Sequence, residues 1–141
     1  MVTKGLADLL QFDKNEKQDN ATALYLPKTI NVTFETGSAV LDKPGEISLT
    51  KSVVRNLLAL PYLTITLIGH TDNVPTPQGN MQLSLDRAIS SKNYVLSVTN
   101  KITGDRIKTE GKGDTKPIVP NNPPNTPNGT PENRRIEMQQ D

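Results

Sequence analysis

The most constraining feature of this chain is the way its hydrophobic period changes along the sequence. Ile30, Val32 and Phe34 alternate with Asn31, Thr33 and Glu35, the period of two that gives a strand one buried face. From about Ile47 to Leu60 the period lengthens. Ile47, Val54, Leu57 and Leu58 share a helical face, and Pro61 marks the stop. Leu63 to Ile68 is rich in β-branched residues and reads as a second strand. A second helix is expected from Ser84, a favourable N-cap type, with Leu85, Ala88, Ile89, Leu96 and Thr99 as its inner stripe. Asn100 and Gly104 end it. Arg106 to Glu110 is a weaker strand that Gly111 and Gly113 break. Pro117 to Pro131 is crowded with Pro and Asn and reads as irregular, and Arg134 to Gln139 is the last strand, with Ile136 and Met138 facing in.

Strand, helix, strand, helix, strand, long loop, strand is an order few folds accept. Helical crossovers between strands require some parallel pairing, right-handed. The expected fold is α/β of the α+β type: a two-layer sandwich, a mixed β-sheet with helices on one face, in βαβαββ order. Gly37 and Asp42 to Gly45 read as turns. Residues 1–27 are expected to be a lead-in, with Val2, Leu6, Leu9 and Leu10 on one face of a short helix, and residues 28–141 one domain.

Composition narrows the function classes. At 141 residues there is room for one core. An apolar fraction of 33% is low, so part of the chain is loop or tail. A net charge of +1 and 4% aromatics argue against nucleic acid as a partner. With no cysteine there is no disulfide, thiol nucleophile or Cys-based zinc site, and a lipid-anchored version would need a cysteine from elsewhere. No apolar run reaches the length of a membrane span, and the N-terminus lacks a signal pattern. An exported version is therefore expected to be a mature form or an excised domain.

Two charged groups stand out by position. Asp72 lies just beyond the C-terminal end of a strand, where α/β sheets form their binding crevice. Arg87 lies in the first turn of the next helix if Ser84 is its cap, where free N–H groups and the dipole favour an anion. An acid–base pair there suits a zwitterion, such as the free amino-acid end of a diamino acid. A structural ion pair tethering the loop to the helix is the competing reading. His70 is the only histidine, too few ligands for a zinc site and without a marked nucleophile. Its expected role is to brace the loop through hydrogen bonds. Gly104 to Gly113 fails the phosphate-loop spacing, with Arg106 where a glycine is needed and Gly113 where Ser or Thr is needed. No metal, cofactor or catalytic residue is expected. One of Arg134 and Arg135 is expected to support the site loop or the sheet edge.

Gly69-His70-Thr71-Asp72, then Asn80, Leu83-Ser84 and Arg87-Ala88, resembles the signature of OmpA-like peptidoglycan-binding domains, of the OmpA C-terminal, peptidoglycan-associated lipoprotein and MotB type. Val32-Thr33-Phe34 with Gly37-Ser38-Ala39 resembles the family's opening. Gly111-x-Gly113, Pro117, Asn125-Thr126, Gly129 and Asn133-Arg134-Arg135-Ile136-Glu137 resemble its ending. The resemblance covers about Ile30 to Met138. It implies non-covalent, non-enzymatic binding of peptidoglycan in the periplasm through the diaminopimelate of the stem peptide, anchoring an outer-membrane or envelope protein to the wall. By the same resemblance Asp72 would take the ammonium and Arg87 the carboxylate. Asn80, Leu83 and the backbone around Thr71 would line the pocket, with His70 and Arg135 also among the ligand-binding residues. No membrane contact by the domain itself is implied, and a homodimer is left open. Thr130 stands where the family often has a basic residue, and the loop from Pro120 to Pro131 carries extra prolines. The alternatives are a wall enzyme using His70, against which the single histidine and absent cysteine stand, and an adaptor using the proline-rich loop.

Overall fold

The computed structural model describes residues 26–123 and 125–141. The helical face read at Val2 to Leu10 lies outside them. The elements are β1 (Thr29–Thr33), α1 (Lys43–Leu49), a π-helical turn (Thr50–Val54), α2 (Arg55–Ala59), β2 (Ile65–Gly69), α3 (Asn80–Val98), β3 (Ile107–Gly111) and β4 (Arg135–Gln140). The four strands form one mixed sheet in the order β1-β4-β2-β3. β2 and β3, joined by the α3 crossover, run parallel from Ile65↔Ile107 to Gly69↔Gly111. β4 is antiparallel to β1 on one side and to β2 on the other. The expected two-layer α/β architecture and element order are therefore observed.

The core fills the space between the sheet and the helices. Ile30 and Val32, Ile65 and Leu67, Ile107, Ile136 and Met138 point from the sheet into it, against Leu49, Val53, Leu57, Ala88 and Val95 from the helices. The alternation along β1 and β4 is the one read from the sequence, because each strand has only one buried hydrophobic row.

Both helices begin earlier than expected. The residues read as a turn at Asp42 to Gly45 are the start of α1. The Asp42 Oδ1 accepts from the Gly45 N–H at 2.8 Å, and Pro44 sits in the first turn, where a missing N–H costs nothing. The inner face of this helix is Gly45, Leu49, Val53 and Leu57, while Ile47 is 37% exposed. The π-helical turn adds a residue per turn, so a strict 3.6 spacing cannot be followed through it.

The second helix starts at Asn80, after Gly79 at φ 85°, and Ser84 lies inside it rather than at its cap. Its buried face is Leu83, Ser84, Arg87, Ala88, Ser91 and Val95. Leu85 is half-buried, Ile89 is exposed, and Thr99 is buried beyond the helix end. The cause is the closeness of helix and sheet. A Cβ on Gly69 would collide with the Ser84 carbonyl oxygen, and one on Gly111 would meet Ser84 Oγ. Only small side chains fit, and Ser84 uses its hydroxyl there: Oγ donates to the Met81 carbonyl at 2.7 Å and accepts from the Gly113 N–H at 2.8 Å.

Candidate functional site

Beyond Gly69 the β2 backbone keeps its partners. The His70 N–H donates to the Arg135 carbonyl at 3.0 Å, and the Thr71 N–H to the Gly113 carbonyl at 2.9 Å. Thr71 Oγ1 then donates to the Asp72 carbonyl at 2.7 Å. This holds the strand tip rigid and delivers the Asp72 carboxylate, 3% exposed, to a fixed place.

Asp72 is not paired with Arg87. Its Oδ2 accepts from Arg134 Nη1 at 2.7 Å and from the Thr130 N–H at 2.9 Å, while Oδ1 accepts from the Val74 N–H at 3.2 Å. The late loop thus closes over the carboxylate. Gly129, at φ 57°, permits this, since a Cβ there would strike Asp72 Oδ2. Arg134 is itself buried and also donates to the carbonyls of Phe34 at 2.6 Å and Asn128 at 2.8 Å.

Arg87 lies two turns into α3, so the free N–H groups of the helix start do not serve it. Its side chain is fully buried and spans three carbonyls: Nε donates to Ser38 at 2.8 Å, Nη1 to His70 at 3.1 Å and Nη2 to Glu35 at 3.0 Å. Its Cζ stands 4.9 Å from the centroid of the Phe34 ring, a cation–π contact. Arg87 therefore pins the loop after β1 to the end of β2. Burial, and next the charge of Arg134, lower its pKa to about 10, with Asp72 opposing them. Two buried guanidiniums stand near one carboxylate that only Arg134 bonds, so the cluster carries an excess positive charge. Such a cluster favours a ligand that brings in a carboxylate.

Of the other residues singled out from the sequence, Asn80 and Leu83 occupy the first turn of α3. Leu83 is buried, and the half-buried Asn80 accepts from Thr76 Oγ1 at 3.2 Å through its Oδ1. His70 and Arg135 are elsewhere. With Ile136 and Met138 facing the helices, Arg135 must point to the opposite face of the sheet, and it joins His70 there. Arg135 Nε and Nη2 donate to Glu137 Oε2 at 3.0 and 2.7 Å, and His70 Nε2 lies 3.2 Å from Glu137 Oε1. Burial chiefly, then Arg135, holds the His70 pKa below its ordinary value against the pull of Glu137. For Glu137 burial acts upward, but hydrogen bonds and charge from Arg135, then His70, outweigh it and hold the carboxyl below the usual range. His70 Nδ1 makes no hydrogen bond among the described residues and Nε2 faces only Glu137, so the bracing of the loop expected of this side chain is done by its backbone.

The sequence left open which of Arg134 and Arg135 supports the site loop and counted only Arg135 among the ligand-binding residues; the arginine on the loop and on Asp72 is Arg134. The signal was present: once β4 is phased by Ile136 and Met138, the neighbouring arginines must diverge, and only Arg134 is free to turn toward the site.

A family model described as the OmpA family matches residues 33–134. The chain is 36% identical over 108 residues to the probable lipoprotein YiaD of Escherichia coli, covering 77% of this chain and 47% of that protein. It is 35% identical over 95 residues to the peptidoglycan-binding protein ArfA of Mycobacterium tuberculosis, covering 67% of this chain and 28% of that one. The chain thus spans under half the length of these relatives. The crystal structure of the peptidoglycan-associated lipoprotein from Burkholderia pseudomallei shares the fold, with a TM-score of 0.67 at 18% identity, covering 81% of this chain and 90% of that one.

Proposed function

This chain belongs to the OmpA family, and on that premise we propose that residues 28–141 form a periplasmic module that holds peptidoglycan without covalent chemistry, tethering an outer-membrane or envelope protein to the wall. The carrying observation is the buried cluster of Asp72, Arg87 and Arg134 at the end of β2, with its excess positive charge. The names of the relatives, a peptidoglycan-binding protein and a peptidoglycan-associated lipoprotein, support the same reading.

The finer reading is recognition of diaminopimelate. Its side-chain end carries an ammonium and a carboxylate on one carbon. The ammonium goes to Asp72 Oδ1, the oxygen that Arg134 leaves free. The carboxylate answers the excess charge of Arg87 and Arg134. Asn80, Leu83 and the backbone at Thr71 line the pocket. A lysine stem peptide offers the ammonium alone and leaves the guanidiniums unanswered, and a site built to bond a group discriminates strongly against an analogue without it.

Asp72→Asn tests the charge at nearly constant shape. Losing one partner of a desolvated charge pair costs roughly 2–5 kcal/mol of binding, so the variant is expected to leave purified sacculi in a pull-down. Calorimetry with the two peptide types tests the finer reading. Retention of Asp72→Asn at the wild-type level removes the site assignment, and equal affinity for diaminopimelate and lysine peptides removes the zwitterion.

A further inference from the structure

The face of the sheet opposite the described helices carries a cavity of about 550 Å³ whose lining includes Lys28, His70, Lys112, Lys116, Arg135 and Glu137. It lies across the sheet from the helices, apart from the Asp72 cluster, and the wall-binding reading does not use it.

Its floor holds polar atoms without answers. The His70 side chain is 2% exposed and the Arg135 side chain 7%. Arg135 Nη1 and His70 Nδ1 are buried without a hydrogen-bond partner among the described residues, and His70 Nε2 faces Glu137 Oε1 at 3.2 Å. The rest of Arg135 is fixed: Nε and Nη2 are held by Glu137 Oε2, and Nη2 also reaches the Lys116 carbonyl at 3.0 Å. The guanidinium is thus oriented before any ligand arrives, with one nitrogen left over. Leaving a buried charged donor unmade is costly, and native structures rarely tolerate it without a role.

The charges agree with the geometry. The lining brings Lys28, Lys112, Lys116 and Arg135 against one carboxylate, Glu137. Lys112 Nζ is also 2.8 Å from Glu110 Oε2 at the rim, which still leaves cations in excess. We propose that this face is a second ligand site, for a compact oxyanion, a phosphate or carboxylate group, seated between Arg135 Nη1 and the His70 ring with Lys112 and Lys116 above it. A protonated His70 donates from Nε2 to Glu137 and from Nδ1 to the anion, so the bound anion favours the imidazolium. Glu137 keeps Arg135 in place and does not meet the anion.

Since His70 is the only histidine, its ring protons report on the site without ambiguity. The experiment is a proton NMR titration of the whole chain with inorganic phosphate, at pH 6 to 8 and constant ionic strength. The expected result is a saturable shift of the His70 signals and a rise of its apparent pKa by about one unit, a tenfold linkage between anion and proton. Lys112→Gln with Lys116→Gln, both at the rim, is expected to weaken phosphate at least about tenfold while sacculus binding is kept. Arg135→Gln is expected to abolish the shift. A linear, unsaturable shift, or the same saturation in the double lysine variant, overturns the site. Co-sedimentation with vesicles of neutral lipid, with and without one quarter anionic phospholipid, separates the sources. Capture by the anionic vesicles alone, lost in the double variant, assigns the phosphate to a headgroup. Phosphate binding without capture assigns it to a soluble or wall-borne group.

Discussion

Arg87→Ala is the perturbation whose cost the structure changes most. Placed at an exposed helix start, the arginine could be removed with the fold intact. Placed where it is, its removal strips the donor from the carbonyls of Glu35, Ser38 and His70. A buried acceptor left without a partner costs about 1–3 kcal/mol. The bonds to Glu35 and Ser38 are only part-buried, so water can answer those carbonyls and the low end applies to both. The contact with the Phe34 ring adds roughly 1 kcal/mol, and the vacated volume adds more. Against this, burial and Arg134 already disfavour the charge, and its loss recovers part of the sum. The net is about 2–4 kcal/mol, a large share of the roughly 5–15 kcal/mol of a typical domain. Urea unfolding followed by circular dichroism reads it directly, as a midpoint lower by about 1–2 M at unchanged slope. Arg87→Lys keeps a charge but cannot span three acceptors, and it falls between the two. A midpoint within about 0.3 M of wild type for Arg87→Ala, where urea slopes run near 1–3 kcal/mol per M, would refute the view that this side chain holds the loop after β1.

Gly69→Ala forces a methyl into the Ser84 carbonyl and to 3.3 Å from the Ala88 backbone nitrogen, so α3 must lift. Overpacking of this kind costs about 1–3 kcal/mol, or roughly 5–15 °C in Tm for a domain of this size; an unchanged Tm in calorimetry would mean that helix and sheet are not in backbone contact. The folded His70 pKa lies below its unfolded value, so the unfolded chain binds the extra proton. Stability is fully present above about pH 6.5 and is lost as pH falls through the folded value. Glu137, also lowered, adds a loss of the same sign in the carboxylate range. His70→Gln is expected to flatten Tm between pH 7 and 5 and to leave the lower limb. The same slope in both proteins would count against a buried neutral imidazole.

Strand phases were the most legible part of the sequence. β1 and β4 each bury one row, so the alternation of Ile30 with Val32 and of Ile136 with Met138 appears in the letters. Helix bounds were less so, because what decides them is not hydrophobic. Asp42 and Pro44 signal a helix start as well as a turn, and only the capping geometry separates the two. The buried face of α3 was unreadable as a stripe, since Ser84 answers the close approach of Gly69 and Gly111 on the strands and Arg87 answers the carbonyls of Glu35, Ser38 and His70. The site followed the same rule. Asp72 was legible as a residue beyond a strand end, but its partner Arg134 lies 62 positions further along the chain. Arg135, taken in its place, belongs to the opposite face by the period of two that located its neighbours.

The place of β4 in the sheet has a consequence for the order in which such a chain folds. It is last in sequence and yet lies between β1 and β2, supplying a hydrogen-bonding edge to each. A chain that folds from its N-terminal side can hold the helices and the parallel pair of β2 and β3 before β4 is in place. It then exposes two strand edges that pair promiscuously with other chains. Arg134 arrives with the same late segment, so Asp72 stays without its counter-charge until then. Completion of the sheet and assembly of the charged cluster are one event. A copy in which β4 has not yet docked is therefore both adhesive and blind to ligand, and a holding chaperone that covers strand edges addresses both faults until β4 is in place.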